Sequence, residues 1–220
     1  MFTKRYINDI VKAEKNMKIS PNFWFEAARG YSLPMSVMSW SVPFLFAAVE
    51  GGNIFYGIIA LIGISFAHLG VNLFDDFVDY ILEQRNVQKG LKEKFELQKG
   101  KCAYLLSKDA SLKDLFIVIS VCFAIAIVCG LFLAAKTGIV VIYIMLAAAA
   151  IGILYPLFSF IALGEIAVGV MFAPLLYTGV YYVMTKTFST ELLPIAISTG
   201  ILTIGLLHAH IFLDIDFDKK

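Results

Sequence analysis

The stretch HLGVNLFDDFVDY, residues 68–80, decides how the chain is read, because it places three aspartates where a long apolar run comes to an end. On a helix turning about 100° per residue, Asn72, Asp75, Asp76 and Asp79 fall at i, i+3, i+4 and i+7 and share one face, and His68 extends that stripe back into the apolar run. Three carboxylates packed this closely repel one another unless a cation sits among them. Oxygen-only donors suit a hard divalent ion such as Mg2+, which keeps part of its water shell and is commonly completed by substrate phosphates.

The rest of the chain shows what kind of helix carries this stripe. With 60% apolar and 16% charged residues over 220 positions, the protein is far more hydrophobic than a soluble domain of its length. Apolar runs at about 33–50, 54–78, 113–135, 138–158, 163–184 and 192–213 compare with about 20 residues per membrane crossing. They predict a polytopic, all-α transmembrane bundle of six spans, one domain over 1–220. Pro43 and Pro174 are expected to kink the first and fifth spans. Residues 1–32 read as a polar, basic arm followed by a short interfacial helix, with Ser20 as N-cap, Pro21 at the first helical position and Phe23, Trp24 and Phe25 beside Glu26 and Arg29. The arm lacks the apolar core of a signal peptide and is expected to stay on the mature protein.

Residues 80–112 form the one long polar segment, and its basic excess, like that of the arm, marks it as cytoplasmic. Both termini are then cytoplasmic, and Ser111 to Asp114 fits a capping box opening the third span. The net charge of +1 and the confinement of basic residues to loops argue against nucleic acid as a partner. Cys102, Cys122 and Cys129 lack metal-type spacing, and the last two read as small core residues seven apart on one face.

A second acidic stretch, HAHIFLDIDFDKK (residues 208–220), ends the sixth span, with His210, Asp214 and Asp218 recurring every four residues on one face. From a cytoplasmic N-terminus, the second and sixth spans both end on the cytoplasmic side, so the two clusters lie at one depth. Facing carboxylate clusters could hold divalent ions with a diphosphate between them. The chemistry this favours is diphosphate departure above an apolar cavity, with Arg85 or Lys89 reaching the diphosphate. Plainer readings compete: His68 and His208 as histidines hydrogen-bonded between helices, Glu165 as a carboxylate at a helix N-terminus, Tyr155-Pro156 as an interfacial anchor and helix stop, Arg29 as a headgroup contact.

With both clusters in view, the chain resembles the UbiA superfamily of intramembrane aromatic prenyltransferases over nearly its whole length. NLFDDFVDY resembles the family's first aspartate-rich motif and DIDFDKK its second. AARGYSLPMSV resembles the entry to the first helix, and LGEIAVGVMFAPLLYTGVYYV the fifth helix of the branch that prenylates dihydroxynaphthoate in menaquinone synthesis. The resemblance implies transfer of a polyprenyl group from polyprenyl diphosphate to a small aromatic acceptor in a cell (inner) membrane, with the active site facing the cytoplasm. It implies Mg2+ held by Asp75, Asp76, Asp79, Asp214 and Asp218, with Asp76 and Asp218 catalytic. Asn72, His210, Tyr155, Arg29, Arg85 and Lys89 are the substrate-binding candidates, Tyr155 and Arg29 by position alone.

The chain departs from the family pattern in three places. ILEQRNVQ separates the first motif from Lys89-Gly90, where the family often has a basic residue and glycine at once. His210 and Leu213 stand where asparagine and arginine are common. The family usually has nine helices, so the chain is expected to lack the last three: a fragment, a bundle completed by a partner chain, or a shortened homologue. Other readings remain: prenyl transfer to a hydroxybenzoate, haem, chlorophyll or glycerol-phosphate acceptor, a non-catalytic membrane subunit, or a cation transporter. A transporter would spread its acids across the membrane depth.

Overall fold

A computed structural model describes residues 20–88 and 102–218, with the side chains at 87, 160 and 210–218 left out of that description. Lys89 and the side chains of His210, Asp214 and Asp218 therefore lie outside the described residues. The regular elements are helical throughout: α1 (Pro21–Ala27), a 3-10 turn (Gly30–Ser32), α2 (Leu33–Val49), α3 (Ile54–Gln88), α4 (Ala103–Leu106), α5 (Leu112–Thr137), α6 (Val140–Phe160), α7 (Gly164–Val170), a π-helical stretch (Met171–Leu175), α8 (Leu176–Thr185) and α9 (Leu192–Asp218). Among the described residues, six segments are long and apolar enough to cross a membrane: Gly30–Val49, Ile54–Asn86, Leu112–Thr137, Val140–Ser159, Gly164–Thr185 and Leu192–Ala209. The chain is a multi-pass membrane protein.

Local chemistry accounts for where the helices start and bend. Ser20 Oγ accepts from Phe23 N at 3.2 Å and Pro21 opens α1. Ser111 and Asp114 close the expected capping box at α5, each side chain accepting from the other's backbone N–H. Pro174 has no N–H to give and its ring crowds the preceding turn, so the fifth span widens into the π stretch before resuming as α8. The distortion expected at Pro174 takes that form. Pro156 does not stop α6, which runs on to Phe160. The polar segment expected from residue 80 begins later, because YILEQRNVQ holds no glycine or proline and continues α3 to Gln88.

Lipid supplies no hydrophobic drive for helix pairing, so close approach depends on small residues. Along α3 and α5, Gly63 faces Cys129 and Gly70 faces Cys122: a Cβ at either glycine would lie 3.1 or 3.2 Å from the cysteine's own Cβ. Both pairs repeat at seven residues, and the cysteines serve as small packing residues, as the sequence suggests. The fifth span is 44% buried against 11–22% for the others, so it runs through the middle of the bundle. Tyr177, Val180 and Val183 of α8 pack there on Ala47, Ala60 and Leu133. A second core, at the end of α3 that carries the aspartates, joins Trp24 and Ala28, Leu73, Cys102 and Leu105, and Leu115 and Ile119. It clamps α1 and α4 against the aspartate-bearing turns of α3.

Candidate active site

The site is built around the turn that links α1 to the first span. Arg29 adopts the left-handed conformation (φ 55°, ψ 45°), which costs a non-glycine residue about 1 kcal/mol. Side chains hold both flanking carbonyls in compensation. Asn72 Nδ2 donates to Ala28 O at 2.9 Å, and Arg29 O accepts from Ser32 Oγ at 2.7 Å and Ser32 N at 2.8 Å. The turn thus aims the guanidinium at α3, where Arg29 Nη2 donates to Asp76 Oδ1 and Nη1 lies 3.7 Å from Asp75 Oδ2. Asp75 and Asp76 are 6% and 2% exposed, and carboxylates this buried need a counter-charge.

From the other side, α4 reaches the same aspartate. Tyr104 OH donates to Asp76 Oδ2 at 3.1 Å, and Cys102 Sγ donates to the Asp76 carbonyl at 3.1 Å. The Tyr104 ring stands edge-on to Phe23 and Trp24, each 6.0 Å away, so α4 is fastened to α1 as well as to α3. Burial, and then the charge of Asp76, push the phenol far above its ordinary range, which keeps it a proton donor to the carboxylate. Tyr104→Phe keeps the ring contacts and removes this hydrogen bond. It is expected to cost about 1–2 kcal/mol of stability, seen as a lower unfolding midpoint in detergent.

One turn deeper, both ring nitrogens of His68 are hydrogen-bonded. Its Nε2 lies 3.0 Å from Ser32 Oγ and its Nδ1 2.6 Å from Ser36 Oγ. The Ser32 hydroxyl proton is committed to Arg29 O, so Nε2 carries a proton and donates to Ser32 Oγ. His68 is a hydrogen-bonded link between α3 and α2, as its plainer reading had it, and through Ser32 it supports the Arg29 turn. His208 Nδ1 stands 4.0 Å from Glu165 Oε1, an electrostatic neighbour between α9 and α7.

Of the residues singled out from sequence, Arg29, Asn72, Asp75 and Asp76 are brought together, Arg29 meeting the aspartates rather than headgroups. Asp79 is half-buried one turn farther along α3, and Arg85 is exposed beyond it. Tyr155 is half-buried on α6, one turn past Gly152, whose Cβ position is 3.1 Å from Val71 Cγ2, which sets it near the level of the aspartates. Among the described residues no group of three His, Cys, Asp or Glu side chains is close enough to hold a metal; Asp214 and Asp218 lie outside them. The sequence reading missed Ser32, Ser36, Cys102, Tyr104 and Glu83. Glu83 is buried (6% exposed) and lies four residues past Asp79, so the same spacing that found the stripe points to it. The apolar patch CAYLL inside a polar loop was the signal for α4.

Fold and site together define a polytopic helical membrane protein with a buried acidic pair at the end of one span. The chain belongs to the UbiA prenyltransferase family, whose model matches residues 34–220. No curated protein and no solved structure matches it. The Arg29 turn precedes the matched residues.

Proposed function

We propose that the protein transfers a polyprenyl group from polyprenyl diphosphate to a small aromatic acceptor, a dihydroxynaphthoate of quinone biosynthesis, with Mg2+ and at the cytoplasmic face of a cell (inner) membrane. Membership of the family supports prenyl transfer in general. The observation that carries the reading further is the Asp75–Asp76 pair, buried at a span's end and satisfied by a cation. An oxygen-only, anionic donor set of this kind fits Mg2+. Asp75, Asp76, Asp79, Asp214 and Asp218 would hold the metal, Asp76 and Asp218 most directly. When bound, Mg2+ supplies positive charge that favours departure of the diphosphate.

The chain's own residues supply the remainder. Arg29, Arg85 and Lys89 are cations for the diphosphate, and the apolar faces of the spans receive the hydrocarbon chain. The carbon–oxygen bond of the prenyl diphosphate breaks with its electron pair leaving on the diphosphate. A ring carbon then attacks the prenyl carbon, and the ring loses a proton or, in the naphthoate case, its carboxylate as carbon dioxide, the bonding electrons returning to the ring. Asn72 and His68 hold the Arg29 turn against α3 during this exchange of charge, and Tyr155 and His210 are the candidates for the acceptor's polar groups.

The reading is tested by incubating the purified protein with Mg2+, polyprenyl diphosphates of several lengths and a panel of aromatic acceptors. Release of diphosphate and formation of a prenylated dihydroxynaphthoate are expected. Absence of diphosphate release with every acceptor would overturn it.

A further inference from the structure

We propose that Arg29 is a built-in counter-ion of the aspartate pair, which gives way when divalent metal binds and then becomes a ligand of the prenyl diphosphate. The inference rests on the metal and diphosphate reading above and chooses among its candidate cations. The first basic residue after the motif is Arg85, six positions past Asp79 and exposed, and the guanidinium already at the aspartates is that of Arg29.

Its backbone is held by contacts that do not involve its own guanidinium. Asn72 and Ser32 bind the carbonyls on either side of the left-handed residue, while the side chain is 25% exposed on a long stem. The guanidinium can therefore swing without dismantling the turn. It spans Asp76 Oδ1 and Asp75 Oδ2, the oxygens a hard cation would take, and two cations cannot share them without strong repulsion. A guanidinium moved a few ångströms aside remains near the metal-bound diphosphate, whose oxygens match its planar fork.

A residue that competes with metal and also binds the anion leaves two effects of opposite sign. The apparent metal affinity of wild type is lowered by the fraction of molecules in which Arg29 occupies the aspartates, so Arg29→Gln is expected to bind metal about tenfold more tightly. With metal saturating, the same variant loses a charge-assisted bond to phosphate and is expected to bind diphosphate about tenfold more weakly. The test uses the full chain in detergent, Mn2+ followed by paramagnetic resonance, and radiolabelled inorganic diphosphate at saturating Mn2+. A merely structural Arg29 would weaken both affinities.

Unchanged or weaker Mn2+ binding by Arg29→Gln, or unchanged diphosphate binding, overturns the proposal while leaving the metal site standing, provided wild type binds Mn2+. Failure of wild type and variant alike to bind Mn2+ removes the metal reading and the proposal with it. Where the glutamine variant does not fold, Arg29→Lys replaces it, since an ammonium keeps the charge but not the fork. Its metal affinity should stay near wild type and its diphosphate affinity fall severalfold; equal diphosphate affinity refutes the assignment.

Discussion

Asp76→Asn is expected to slow prenyl transfer by about a thousandfold or more, while lowering stability by only about 2 kcal/mol. Asp76 is where the site's contacts converge: Arg29 on one carboxylate oxygen, Tyr104 on the other, and the Cys102 thiol on its carbonyl. The amide has nearly the same shape and can still accept from Arg29 or Tyr104, so it keeps part of the network and avoids the larger cost of an unpaired buried charge. What it removes is the negative charge. If that charge contributes about 4 kcal/mol toward holding the cations that stabilise a departing diphosphate, the rate falls by three orders of magnitude. Single-turnover release of diphosphate, with the unfolding midpoint measured alongside, separates the two effects. Wild-type release by the variant would remove Asp76 from the chemistry, whatever its stability.

The parts of this protein legible in its sequence are those encoded by local repetition. Apolar runs gave six spans at nearly their observed bounds, Ser20-Pro21 and Ser111 to Asp114 marked helix starts by cap chemistry, and three- and four-residue spacing placed His68, Asn72, Asp75, Asp76 and Asp79 on one face. The contacts that complete the site join residues far apart in the chain: Arg29 to Asp76 across 47 positions and Tyr104 to Asp76 across 28. Nothing periodic announces such pairs. Arg29 was legible as a polar residue near an interface but not as a counter-ion, because its direction is set by a left-handed backbone angle that depends on Asn72 and Ser32 in turn. Glu83 differs, since it continues the stripe four residues beyond Asp79, past the end of the apolar run. The widening at Pro174 was foreseeable as a distortion, but whether a proline bends, breaks or widens a helix depends on what packs beside it.

The second large effect is expected at a position with no polar atom in its side chain. α9 carries the second acidic stretch and rests on the bundle through α7 and the π stretch, where Gly169 and Gly200 let the two backbones meet. A Cβ at Gly169 would come within 2.9 Å of Gly200 O and 2.5 Å of Ile204 Cγ1. The isoleucine can rotate, but the carbonyl belongs to a helix and can yield only if α9 moves as a body. Gly169→Val is therefore expected to cost about 1–3 kcal/mol of overpacking, and α9 recovers part of this by shifting outward. If Asp214 and Asp218 act with Asp76 on one diphosphate, a shift of about 1 Å carries a rate penalty on the order of a hundredfold, so turnover should fall further than stability does. Gly205→Ala supplies the contrast on the same helix: its Cβ meets nothing within 4 Å, and replacing a helical glycine by alanine is expected to stabilise by up to about 1 kcal/mol. The two variants should therefore move both the melting midpoint and turnover apart. Equal turnover in Gly169→Val and wild type would mean that the contact with α7 does not fix where α9 presents its carboxylates.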